Sequence, residues 1–563
     1  GILEWNKAYR KLGFAGAIKV DQQPDDPDFD PENIHYNTFR WMTADAGFAM
    51  GPSRVDPRTG QILDADIIFD ASFLDSWNQR WETFRSDDVA ALTPNWSPYD
   101  ETLLNGGSLP LGHRHSTACS YCFEMQRQTG FAAAVFMASG VSATGELPKE
   151  FVHEGLKEVV MHEVGHTLGL RHNFKASTWK PLEEINNPES GKAEGTIASV
   201  MDYAPANLMV DPKEQGLYYS QTIGPYDYWA IEYGYKPISS KEDEELEKIA
   251  SRAGEPQLAY GTDEDTRSFD PDPYSNRFDL GQDPLAYVKR QIETTSKLLP
   301  EVVDKTVKDG EGYQKARQAF NLLFNEYHRA LGFAARFPGG VSVSRHHKGD
   351  ENAKPPFEVI DAETQRDAMK LVTETAFSPP PIDGESLNYL AVSRWSHWGT
   401  RDPIRLDVPV HDDVLSLQES LLSQTLSSMT LDRILDNEFK VPDDKDAYTL
   451  AEHLDMIVNS IFSEWQAPVE GNVSNRKPAI DSFRRNLQRA AVRRLCAIVT
   501  HGSGSPYDAQ TLVRMHLRKL QEQAEKKLDG GTPLDAYSRA HLADSLARIE
   551  QALNADVSLP IVN

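Results

Sequence analysis

The chain has 563 residues, with 58 Lys+Arg against 85 Asp+Glu and a formal net charge of −27. So acidic a surface repels phosphate backbones and anionic lipid, which argues against nucleic-acid and membrane-surface binding. The hydrophobic fraction of 39% is too high for an intrinsically disordered chain, and at about 150 residues per domain the length suggests two to four domains. The longest apolar stretch, around Phe131 to Val141, is too short to span a bilayer. The first residue is Gly1, which points to a processed product with any signal peptide or pro-segment upstream.

In chain order, Trp5 to Leu12 has helical spacing and Ala17 to Val20 reads as a short strand. The acidic stretch with Asp21, Asp25, Asp26, Asp28 and Asp30 lacks the glycine and final Glu of an EF-hand loop. It reads as a solvated loop, and a calcium site there is unsupported. Asn37 to Thr43 and Ile62 to Phe69 read as strands, with a turn at Asp56-Pro57-Arg58-Thr59-Gly60 between them. Cys119 and Cys122 follow His113 and His115 in an H-x-H-x3-C-x2-C pattern. A local disulfide or two reduced thiols comes before a second zinc site there, because no further C-x-x-C or distant histidine pair completes the set.

Residues 148 to 169 form the strongest helix of the first half. Pro148 suits a first turn, and Phe151, Val152, Leu156, Val159, Val160, Val164 and Leu168 keep an apolar stripe. Gly169 is a natural stop. Residues 238 to 285 read as a linker or irregular excursion. Beyond lie helical patterns at 286–308, 312–334, 362–377, 411–436, 449–466, 477–500, 508–528 and 534–555. Val513, Leu517, Leu520, Ala524 and Leu528 mark one amphipathic face. His346-His347 reads as an exposed loop, and Trp395 and Trp398 as packing residues.

The chemistry sits at residues 162 to 172, which read H-E-x-x-H-x-x-G-x-x-H. Chance supplies the full motif with odds below about one in ten thousand. His162 and His166 are four apart, so both imidazoles leave one helix face and can share a metal. Glu163 lies about 100° round the helix, where it can act as a base towards water at the metal. Gly169 permits a left-handed turn that returns His172 as third ligand. Three neutral imidazoles leave a coordination position open, the mark of a catalytic zinc. Ser199-Val200-Met201-Asp202-Tyr203 fits the methionine-bearing turn that accompanies the long motif, with Met201 as a floor under the imidazoles. The Tyr203 hydroxyl reads equally as a core group or as one facing the metal and developing oxyanion.

These residues resemble the metzincin clan of zinc endopeptidases. Glu4-Trp5-Asn6, Gly51-Pro52-Ser53, Asp56 to Gly60, His162 to Phe174, Ser199 to Tyr203 and Ile223 to Tyr235 resemble more closely a bacterial met-zincin family with a long helical C-terminal extension. The resemblance implies an α+β catalytic domain over 1–237, a twisted mixed sheet plus the active-site helix. An insertion at about 71–147 would form cleft wall or lid, and a mainly α-helical region would fill 238–563. It also implies one zinc ion, a protein or peptide substrate, an exported location, and an edge strand at Gly47 to Gly51. There Phe48, Ala49 and Met50 would pair with substrate main chain. The expected activity is peptide-bond hydrolysis with Glu163 as general base. The competing expectation is a binding or scaffold protein acting through its helices, which the intact Glu163 disfavours. Oligomeric state is not legible. The −27 charge suggests that cationic substrate segments are drawn in.

Overall fold

The computed structural model describes residues 1–25, 29–42, 49–51, 53–70, 121–142, 146–267, 270–391, 406–469, 471–501, 504–529, 531 and 533–555. Trp395, Trp398, His113, His115, Cys119, Phe48 and Asp26, Asp28 of the acidic stretch lie outside them.

The chain opens with a 3-10 turn and helix α1 (Asn6–Lys11). Trp5 is fully buried, and its indole N–H donates to the Met161 carbonyl at 3.0 Å. The expected strand over Ala17 to Val20 does not form. The Asn6 side chain takes both main-chain groups of Ile18, donating to its carbonyl at 2.8 Å and accepting from its N–H at 2.9 Å. No ladder can use them.

Strands β1 (Phe39–Met42), β2 (Ala49–Met50), β3 (Ser53–Val55), β4 (Ile62–Ala65) and β5 (Ile67–Asp70) follow. One small sheet has the order β1-β5-β2, with β1 parallel and β2 antiparallel to β5. β3 and β4 form a hairpin around the expected turn, where Gly60 has φ 72°. Ile62 to Phe69 is therefore two strands in two sheets. The break is Asp66, whose Oδ1 accepts from both the main-chain N–H and the hydroxyl of Thr38 and so leaves the β4 ladder.

Helix α2 (Tyr121–Ala138) lies within the stretch expected to be an insertion. Phe131 to Ala138 are all buried. Phe136 meets Phe151 of the metal helix edge-on at 5.8 Å, and Arg127 pairs with the fully buried Glu326 at 3.0 Å. This helix is core that joins the two halves of the chain. Helix α3 (Lys149–Thr167) carries the histidine motif, and Gly169 closes it at φ 90°. Helix α4 (Pro225–Tyr235) packs on α1.

Residues 238 to 285 are irregular, as expected, but part of the stretch is bound in as a strap. Phe174 N–H donates to the Gly261 carbonyl at 2.7 Å, Asn276 N–H to Phe174 at 3.2 Å and Phe278 N–H to Tyr203 at 2.8 Å. Lys175 and Asp272, both nearly fully buried, pair at 2.5 Å.

The remainder is helical. α5 (Pro284–Leu298) and α6 (Gln314–Ala334) pack as a pair through Gln291, which donates to Glu326 at 2.7 Å. After the short hairpin of β6 (Val341–Val343) and β7 (Phe357–Val359), whose loop holds the exposed His347, come the later helices. The longest are α7 (Val410–Thr425), α8 (Ser428–Lys440), α9 (Leu450–Ile461), α10 (Ser482–His501), α11 (Tyr507–Asp529) and α12 (Ala536–Leu553). The pattern read over 411–436 splits because Ser427 caps a new helix, accepting from Thr430 N–H at 3.0 Å. Val513, Leu517, Leu520 and Ala524 are buried, as their spacing requires. Among the described residues no helix is long and apolar enough to cross a membrane.

Candidate metal centre

The three motif histidines converge. One ligand atom from each of His162, His166 and His172 lies within 4.8 Å of the others. Each Nδ1 is already engaged. His162 Nδ1 lies 2.7 Å from the Val200 carbonyl, His166 Nδ1 3.0 Å from the Leu170 carbonyl, and His172 Nδ1 2.9 and 3.0 Å from the Asp263 carboxylate oxygens. A carbonyl or carboxylate oxygen can only accept, so each Nδ1 carries the proton and each Nε2 keeps its lone pair. Burial pushes the His162 imidazolium well below its ordinary pKa and that of His166 down to about 4. Both are therefore neutral near pH 7. Three neutral imidazoles with locked tautomers form a donor set that fits a divalent ion such as zinc.

Glu163 follows His162 on the helix and is fully buried. The approach of the edge strand is close here. A Cβ on Gly51 would stand 2.5 Å from the Glu163 carbonyl oxygen, so only glycine lets the chain pass from β2 over the helix. Gly51 belongs to the expected edge segment. Ala49 and Met50 form β2 at the sheet's edge, antiparallel to β5.

The methionine turn lies beneath the same helix. Met201 is fully buried, and a Cβ on Gly165 would run into its Sδ and lie 3.0 Å from the Trp5 ring. Asp227 of α4 holds the turn. Its carboxylate accepts from the Ser199 hydroxyl at 2.5 Å, Val200 N–H at 3.0 Å and Gly224 N–H at 2.8 Å. The Tyr203 hydroxyl lies 2.9 Å from His172 Nε2 and donates to it. Beneath, Asp202 accepts from Ser177 N–H at 2.8 Å and Asp279 from the Ser177 hydroxyl at 2.9 Å. Burial and the neighbouring Asp279 push the Asp202 carboxyl well above the ordinary range.

Sequence reasoning missed Gly51 as a packing residue, Gly165, Asp227, Asp263 and Arg277. Gly165 carried a signal, because an isolated glycine inside a helical pattern asks for a packing reason. Asp263 carried none: it sits in an Asp-Glu-Asp run that reads as solvated surface. The pattern around the cysteines cannot be followed here, since Cys119 and both histidines before it lie outside the described residues.

A helix-borne histidine pair, a third histidine after a glycine turn and a buried methionine turn define a metzincin-type metal protein. The Met-zincin family model matches residues 144–468, more than half of the chain, and the chain belongs to that family. The family name is that of zinc metallopeptidases. No curated protein and no solved structure matches the chain.

Proposed function

We propose that the chain is a zinc-dependent endopeptidase in which His162, His166 and His172 hold one zinc ion. The observation that carries this is the locking of all three Nδ1 atoms, which leaves three neutral Nε2 donors facing one point. When bound, zinc supplies polarisation of the scissile carbonyl and a drop in the pKa of water towards about 7. Glu163 takes the proton of the attacking water and returns it to the leaving amine. The present partner of the Tyr203 hydroxyl is the Nε2 that a metal would claim. Its displacement leaves the hydroxyl to donate to the developing oxyanion. Met201 floors the site, and Gly169 sets the turn that delivers His172.

Substrate main chain adds to the sheet at Phe48, Ala49 and Met50, where β2 is the edge. The reading carries with it a protein or peptide substrate and an exported, bacterial setting, both on resemblance alone. The test is digestion of a peptide library by the full chain. Cleavage should stop with a chelator and return with zinc. Zinc uptake with no cleavage of any peptide would instead favour a binding protein.

A further inference from the structure

His172 differs from the other two histidines in what holds it. His162 donates to the methionine turn, and His166 to the loop that ends its own helix. His172 donates to a side chain 91 residues further on, the carboxylate of Asp263 in the strap. That carboxylate is itself fixed. Arg277 Nη2 donates to Asp263 Oδ1 at 2.9 Å, and Arg277 Nε donates to the Thr266 hydroxyl at 3.2 Å. The Arg277 guanidinium is seated over the Phe174 ring at 4.7 Å, two residues beyond His172. Arg171 Nη2 lies 3.8 Å from Asp263 Oδ2 and is drawn outward by Glu264 at 2.7 Å. Main-chain bonds at Gly261, Asn276 and Phe278 tie the strap to Phe174 and Tyr203 on either side.

We infer that Asp263, braced by Arg277, is a positioning residue for the third metal ligand, and that the strap is part of the metal centre. The carboxylate fixes the Nδ1–H tautomer and ring plane of His172, so that Nε2 is presented to the ion. An imidazole on a loop needs this more than one on a helix, because α3 already orients His162 and His166 through its backbone. A catalytic unit cut near residue 237 keeps all three histidines and loses the group that aims one of them.

The inference rests on the metal reading above, and zinc affinity separates the two. Full-length wild type, Asp263→Ala, Asp263→Asn, Glu264→Gln and His172→Ala are titrated with zinc against a chromophoric chelator, with melting curves taken without metal. Asp263→Ala should bind zinc about 10- to 100-fold more weakly, while Asp263→Asn, whose amide oxygen still accepts from Nδ1–H, should lose about three- to tenfold. Glu264→Gln, on the same turn, should stay within about twofold. Adding Asp263→Ala to His172→Ala should weaken binding no further, since a positioning residue has nothing left to position. Asp263→Ala binding within about twofold of wild type overturns the inference. So does an equal loss in the His172→Ala background, which marks a general structural effect. If Asp263→Ala does not fold, Asp263→Asn decides on the same twofold limit. A wild type that takes no zinc overturns the metal reading, and this inference with it.

Discussion

The chain around the metal centre and the C-terminal helices solve the same problem in opposite ways. From Leu170 to Met209 and from Ala259 to Gly281 there are only short turns and helices of a few residues. A buried main chain of that kind must find each hydrogen-bond partner separately. It finds them in buried acids (Asp227, Asp202, Asp272 and Asp279) and in far-off carbonyls. Helices α7 to α12 satisfy their own main chains and need only an apolar face. The centre is thus built from specific single contacts and the helices from repeated interchangeable ones. Substitutions should act sharply in the first region and mildly in the second.

The largest effect expected at the centre is chemical. Glu163→Gln removes the proton acceptor but no metal donor, so zinc uptake should persist while peptide turnover falls by roughly 10²- to 10⁴-fold. Turnover on a fluorogenic peptide, with zinc content measured on the same sample, checks this. A variant that keeps wild-type turnover would remove Glu163 from the mechanism.

Next comes pH, where one buried group in each region should act with opposite sign. Burial pushes the Asp227 carboxyl up from 3.8 to about 6, against the hydrogen bonds it accepts. The folded chain holds that proton more tightly than the unfolded one, so the stability it confers is present below pH 4 and is lost as pH rises to 6. In α9, burial pushes fully buried His453 down from 6.5 to about 4. Its neutral ring donates to the Thr425 carbonyl at 2.8 Å and accepts from the Tyr448 hydroxyl at 2.9 Å. That contribution is present above pH 6.5 and is lost as pH falls to 4. Each amounts to about 3 kcal/mol. In urea unfolding between pH 4 and 7, the wild-type advantage over Asp227→Asn should shrink as pH rises. The advantage over His453→Gln should grow. Slopes of equal sign would break the comparison.

The same contrast governs how much was legible beforehand. The later helices follow from periodicity, because an amphipathic stripe such as Val513 to Ala524 is itself the signal. The ligand triad was legible because helix geometry and the glycine turn impose its spacing. The partners Asp227 and Asp263 were not, since a carboxylate that ties together distant loops carries no local pattern. The false strand at Ala17 to Val20 has the same origin: the Asn6 amide takes the Ile18 main chain, and β-propensity knows nothing of that. Asp66 divides β4 from β5 in the same manner.

Two glycines sharpen the comparison at smaller scale. In Gly165→Ala the new methyl meets Met201 Sδ and the Trp5 ring, both fully buried with no room to retreat. Overpacking of this kind should lower stability by about 1–3 kcal/mol, read from the urea midpoint.

The smallest effect has the opposite sign. Gly234 lies in the last turn of α4, has no positive φ, and would place a Cβ with nothing within 4 Å. Alanine there keeps the helical conformation and narrows the unfolded ensemble, so Gly234→Ala should raise stability by about 0.5 kcal/mol. The two substitutions add the same methyl to two helical glycines, so propensity alone gives both the same sign. Opposite signs in parallel urea titrations would show that packing against the methionine turn, and not helix propensity, fixes glycine inside the metal-binding motif. Stabilisation by both would show that Met201 has slack beneath α3.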